Sequence, residues 1–157
     1  MKRIKKIGIL FIVVVGLAQF FGPAKNKGDM SSLEPFYKDT NPPAAVKTIL
    51  NQACMDCHSE NTNYPWYSEI TPVNYWLDSH VKDGMKHLNL SLWDDYSAKK
   101  KDHKLEELIE MVEAKEMPLP SYTWAHSDAK LSEEQIDLVI KWAENVRLKY
   151  VLLEDPQ

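Results

Sequence analysis

The sequence predicts an all-α fold, a small domain of about four helices behind an N-terminal helix that serves as signal or anchor. Three observations predict it. Apolar side chains recur at three- and four-residue steps in four stretches after residue 40. No stretch alternates apolar and polar residues as a half-buried strand would. The 157 residues suffice for one core and are too few for two.

The N-terminal element opens with the cationic flank Lys2-Arg3-Ile4-Lys5-Lys6, followed by an apolar run from Ile7 to Phe21 interrupted by Gly16 and Gln19. This is the layout of a secretory signal, and its length approaches the lower limit for a membrane-spanning helix. Gly16-Leu17-Ala18 and Gly22-Pro23-Ala24 offer only weak cleavage points, and no Ala-x-Ala site is present, so an uncleaved single span is the favoured form. Cationic flanks stay in the cytoplasm, which sends the rest of the chain to the periplasmic side of a bacterial inner membrane. Residues 1–24 are thus read as signal or anchor, 25–40 as a linker without periodicity, 41–150 as the domain and 151–157 as a tail.

The first domain helix starts after Asn41-Pro42-Pro43, where proline suits the first turn. Val46, Ile49, Leu50, Ala53, Cys54 and Cys57 share one face. The second follows Thr71-Pro72, with Val73, Trp76, Leu77, His80 and Val81 on one stripe. The third covers about Ala98 to Lys115, with Leu105, Leu108, Ile109 and Val112 inward. Met117-Pro118-Leu119-Pro120 ends it, because proline cannot continue the hydrogen-bond ladder. The fourth opens on the capping box Ser132-Glu133-Glu134-Gln135 and continues through Ile136, Val139, Ile140, Ala143 and Val146.

Charge is unevenly spread. Residues 1–28 hold six of the 19 basic side chains and none of the 23 acidic ones, so the remainder carries a net charge of −10. Phosphate backbones repel so acidic a surface, which argues against nucleic acid as a partner.

The two cysteines of the chain sit in Cys54-Met55-Asp56-Cys57-His58. Cys-x-x-Cys-His is the attachment pattern of haem c. At the end of a helix, positions i, i+3 and i+4 face one side, so two thiols can bond the vinyl groups at one porphyrin edge while the imidazole reaches the iron. Three other chemistries compete. A structural zinc site needs four ligands, here drawn from His80, His87, His103 or His126, at spacings unlike a compact finger. A redox dithiol of the thioredoxin kind needs a βαβ context. A plain disulfide leaves His58 without a role.

These residues carry a resemblance. From Pro43 to Trp142 the chain resembles the bacterial haem-binding domain family, exported and c-type-cytochrome-like. The likeness rests on Cys54–Thr62, on Tyr64-Pro65-Trp66-Tyr67-Ser68-Glu69-Ile70-Thr71-Pro72, on Trp76, His80-Val81, Gly84, Leu88-Asn89-Leu90-Ser91 and Trp93, and on Met117-Pro118, Tyr122, His126 and Leu131-Ser132. The second half also resembles the distal half of monohaem cytochromes c, where a Met-Pro step precedes a loop and a last helix opening Leu-Ser-x-Glu. The aromatic-rich connection after His58 departs from that pattern. The resemblance implies a cytochrome-c-like helical domain with one covalent haem c.

On this reading His58 is the proximal axial ligand. Met117, presented where the third helix ends at a proline, is the expected distal ligand; a thioether there raises the reduction potential and suits electron transfer. His80 and His126 are the alternatives, and the competing role for Met117 is apolar filler. His87 and His103 lie among charges and read as solvated. Trp66, Trp76 and Tyr122, with Tyr64, Tyr67, Trp93 and Trp124, are candidates for the pocket wall. A carbonyl near Pro65 or Pro72 is expected to accept the proximal imidazole N–H.

The favoured task is one-electron transfer to an unidentified redox partner with a basic docking face, rather than catalysis, from attachment to the inner membrane through residues 7–21. The rival functions are a haem-based gas binder, if the sixth position is open, and a non-haem zinc or disulfide scaffold.

Overall fold

The computed structural model describes residues 2–154. Among them there is no strand, only an isolated antiparallel bridge between Lys27 and Asn61. The all-helical class therefore holds.

Helix α1 spans Lys2–Ala18, and its large apolar side chains, from Ile4 to Leu17, are exposed. Among the described residues no helix is long and apolar enough to cross a membrane. The apolar run instead outlasts α1, and Phe20 and Phe21 lie exposed beyond it. The chain that follows is docked. Gln19 donates to the Thr71 carbonyl (3.2 Å) and accepts from the Thr71 N–H (2.9 Å). The Asn26 amide donates to the Ser59 carbonyl (2.8 Å) and to Thr62 Oγ1 (2.9 Å).

The linker expected over 25–40 is not one. Asp29 caps a 3-10 turn at Met30–Leu33, and helix α2 follows at Glu34–Thr40. Leu33 and Phe36 are 0% exposed. Phe36 meets Trp93 edge-on at 5.1 Å and Trp142 at 6.1 Å. A two-turn helix offers too few positions for periodicity to register, so only burial reveals it. Phe36→Ala is expected to cost about 3–5 kcal/mol, against under about 0.5 kcal/mol for a linker residue, read by urea unfolding of the full chain.

Helices α3 (Ala44–Ala53) and α4 (Met55–His58) together form the first predicted helix, interrupted at Cys54. Helix α5 covers Val73–His87, α6 covers Ala98–Glu113, a short α7 covers Pro120–Thr123, and α8 covers Glu133–Glu154. The capping box forms as written: Gln135 N–H donates to Ser132 Oγ (3.2 Å) and Ser132 N–H to Gln135 Oε1 (2.9 Å). The expected tail is α8 continuing through Glu154; its last three residues, 155–157, lie outside the described residues.

The core joins Val46, Ile49 and Leu50 of α3 to Leu105 and Val112 of α6 and to Ile136, Val139, Ala143 and Val146 of α8, the faces that periodicity predicted. The α6–α8 pair is the most extensive helix contact. Trp93, expected at the pocket wall, is instead fully buried in this core. Its indole N–H donates to Asp39 Oδ2 at 2.9 Å. Lys101 (2.9 Å), the Tyr150 hydroxyl (2.6 Å) and Lys149 also reach that carboxylate. Burial alone would raise the Asp39 pKa, but these donors outweigh it and hold the group well below the carboxylate range. The knot ties α2 to α6 and α8.

Candidate functional site

Cys54 leaves helical geometry at φ −122°, ψ −42°, yet its carbonyl accepts from Cys57 N–H (3.2 Å) and His58 N–H (3.0 Å). Both thiols and the imidazole are therefore held within one turn. The two cysteines are free. Burial pushes the Cys54 thiol up to about 12, helped by Cys57, and pushes Cys57 up to about 11, helped by Asp56. Both are neutral at physiological pH. A redox dithiol depends on a depressed thiol pKa, the opposite of what surrounds this pair. Among the described residues no group of three or more His, Cys, Asp or Glu side chains is placed to hold a metal ion.

His58 closes α4 against the end of α5. Its Nδ1–H donates to the Leu88 carbonyl at 3.0 Å. Burial pushes the imidazole below its ordinary range, outweighing the Leu88 and Gly84 carbonyls, which favour protonation. The ring is thus neutral with Nδ1 committed, which leaves the lone pair on Nε2. The acceptor expected near Pro65 or Pro72 is Leu88 instead. The reason is tertiary: α5 runs past the motif and presents its C-terminal carbonyls to the ring.

Gly84 permits that approach. A Cβ built there would lie 2.5 Å from the Cys57 carbonyl oxygen and 2.9 Å from Cys57 Cβ. Gly84→Ala raises helix propensity by about 1 kcal/mol in α5, but the clash is with backbone and dominates. Lower thermal stability and a reduced yield of haem-loaded protein are expected; a variant more stable than the parent would contradict the close packing.

The loop after His58 is fastened to the motif. The Ser59 hydroxyl donates to the Met55 carbonyl (2.8 Å), Thr62 Oγ1 to the Asp56 carbonyl (2.7 Å), and Asn63 N–H to Asp56 Oδ1 (2.9 Å). Beside Cys57 a largely apolar cleft opens, lined by Asp56, Tyr64, Pro65, Tyr67, Trp76, Leu77, His80, Val81, Leu119, Tyr122 and His126, among others. Of the expected wall residues, Trp76, Tyr122, Tyr64 and Tyr67 line it. Trp66 does not: it is 77% exposed, edge-on to Tyr67 at 5.8 Å. Trp124 is 84% exposed.

His80 and His126 both border this cleft. His80 Nδ1–H donates to the Trp76 carbonyl (2.8 Å) and its ring stands 4.4 Å from that of Trp76. His126 Nδ1–H donates to the Tyr122 carbonyl (3.1 Å), and the two rings stack at 4.1 Å. Met117, at a cis Met117–Pro118 bond, is absent from the cleft lining. It is partly buried against the core cluster that Cys54 and Leu88 also touch. Sequence reasoning missed Asp56, which carries no signal at a position between the cysteines, and the Leu88 carbonyl, a backbone group that no side-chain pattern reports.

A covalently held haem fits this donor set: two free, neutral thiols and a neutral imidazole oriented through Nδ1. The model of the family described as Haem-binding domain matches residues 13–145. No curated protein and no solved structure matches the chain.

Proposed function

Since the chain belongs to the haem-binding domain family, we propose that it holds one haem c through thioethers at Cys54 and Cys57, with His58 as proximal axial ligand, and works as an exported electron carrier. The observation that carries this reading is the His58 Nδ1–H bond to the Leu88 carbonyl. It fixes the tautomer and aims the remaining lone pair, as second-shell acceptors do for metal-bound histidines. Cys54 and Cys57 would each supply one thiol S–H for addition across a vinyl group, sulfur bonding one carbon and hydrogen going to the other, with no oxidant consumed. Bound haem supplies one-electron redox chemistry at its iron.

Met117 is the distal ligand in this reading. Met117, like Cys54 and Leu88, packs against the hydrophobic core, and a thioether favours the reduced iron. A second reading is favoured by the cleft: His80 and His126 line it together with Cys57, and their Nδ1 atoms are committed to the Trp76 and Tyr122 carbonyls, which leaves each Nε2 free. Histidine in that position would lower the potential relative to methionine.

Export follows from the cationic flank and apolar run, with residues 7–21 attaching the chain to the outer face of the inner membrane. The net charge of −10 beyond residue 28 steers a redox partner through a basic docking face. The test is a haem stain of a denaturing gel after exported expression of the full chain with a haem-attachment apparatus. A stained band at the mass of the chain is expected; haem that washes away on denaturation would contradict covalent attachment.

A further inference from the structure

We propose that Asp56, between the two cysteines, is a positioning residue that ties the distal loop to the haem-attachment helix through Tyr122. The inference deepens the haem reading and rests on it for its functional half. Its geometry stands on the chain alone.

The Tyr122 hydroxyl donates to Asp56 Oδ2 at 2.7 Å, across 66 residues of sequence. The other carboxylate oxygen, Oδ1, accepts from Asn63 N–H at 2.9 Å, and Thr62 Oγ1 donates to the Asp56 carbonyl at 2.7 Å. Asp56 is therefore held from both sides before Tyr122 reaches it, which makes it a fixed acceptor. Tyr122 in turn fixes His126, by ring stacking at 4.1 Å and by its carbonyl on Nδ1. The segment bearing Met117, Leu119, Tyr122 and His126 follows α6, which ends at Glu113, and holds only short elements: α7 is a single turn and a 3-10 turn follows at Ser127–Ala129. The amides of Tyr122 to His126 bond only to carbonyls within the segment, so its turns are made locally while its placement against α4 rests on side-chain ties to other elements. The tie runs to the residue between Met55 and Cys57, so the segment after α6 is registered against the attachment helix by a 2.7 Å hydrogen bond to a charged acceptor, with the Gln52 carbonyl a longer second acceptor at 3.4 Å. Such bonds are stronger than neutral ones.

Two measurements test this. In the haem-free full chain, Tyr122→Phe keeps the ring stack and removes only the hydroxyl. Amide hydrogen exchange at residues 122–126 is expected to quicken about tenfold, in line with losing a bond to a charged group, and Asp56→Ala is expected to act the same way. Amides of α6 and α8 are expected to keep their protection. No change at 122–126, or equal loosening of α6 and α8, would overturn the tie. In the haem-loaded chain, Tyr122→Phe is expected to speed carbon monoxide binding to the reduced iron, because a looser distal segment gives up the sixth position more readily. An unchanged rate would overturn the positioning role. A parent chain without haem would end the haem reading, while the exchange result would still judge the tie.

Discussion

A chain carrying both Cys54→Ser and Cys57→Ser is expected to emerge from exported expression with no haem that survives denaturation. Serine is close to cysteine in size, so packing is nearly kept, but its oxygen adds to no vinyl group. The fall in stained band is expected to be complete rather than partial, since both attachment bonds disappear. Two new hydroxyls in buried surroundings cost about 1–3 kcal/mol each if unpartnered. Far-ultraviolet circular dichroism of the same variant therefore serves as the control. Retained helix with lost haem locates the defect in attachment. Retained covalent haem would place the attachment at atoms other than the two sulfurs.

The second large effect is expected at Met117. Met117→Ala is expected to open the sixth iron position and to speed carbon monoxide binding by the reduced protein about a hundredfold, since no ligand must leave first. The reduction potential is expected to fall with it, because thioether ligation favours the reduced iron. Truncation also removes a partly buried side chain from the core edge, at a cost near the lower end of the 2–5 kcal/mol typical of such changes, about 2 kcal/mol by urea unfolding. Ligand kinetics and unfolding together separate coordination from packing. If His126→Ala opens the iron and Met117→Ala does not, the distal ligand is His126, which lines the cleft beside Cys57.

Much of the architecture was legible because long amphipathic helices announce themselves. The inward stripes of α3, α6 and α8 are those read from three- and four-residue steps, and the capping box at Ser132 closes with both its bonds. Short elements were not legible. Helix α2 has seven residues, of which only Phe36 and Thr40 are buried, too few for any period, so a buried segment passed as a linker. Asn26 fell in the expected linker and Gln19 in the expected signal or anchor segment, yet each side chain bonds the loop after the motif. At the site, Cys54, Cys57 and His58 stood out through their spacing alone. The Leu88 carbonyl, the close approach at Gly84 and the Asp56–Tyr122 bond depend on how α4 meets α5 and α7, information that lies in packing rather than in local pattern. Aromatic content also misled: Trp93 belongs to the core beside Asp39, whereas Trp66 and Trp124 face solvent. Counting aromatics near a motif does not separate these two fates.

The most direct test is the intact mass of the full chain matured in an exporting host, measured after denaturation and treatment with a thiol alkylator. The mass of the chain plus one haem is expected, with neither sulfur alkylated. A chain at its bare mass with two alkylated cysteines, or with its sulfurs joined to each other, would contradict it.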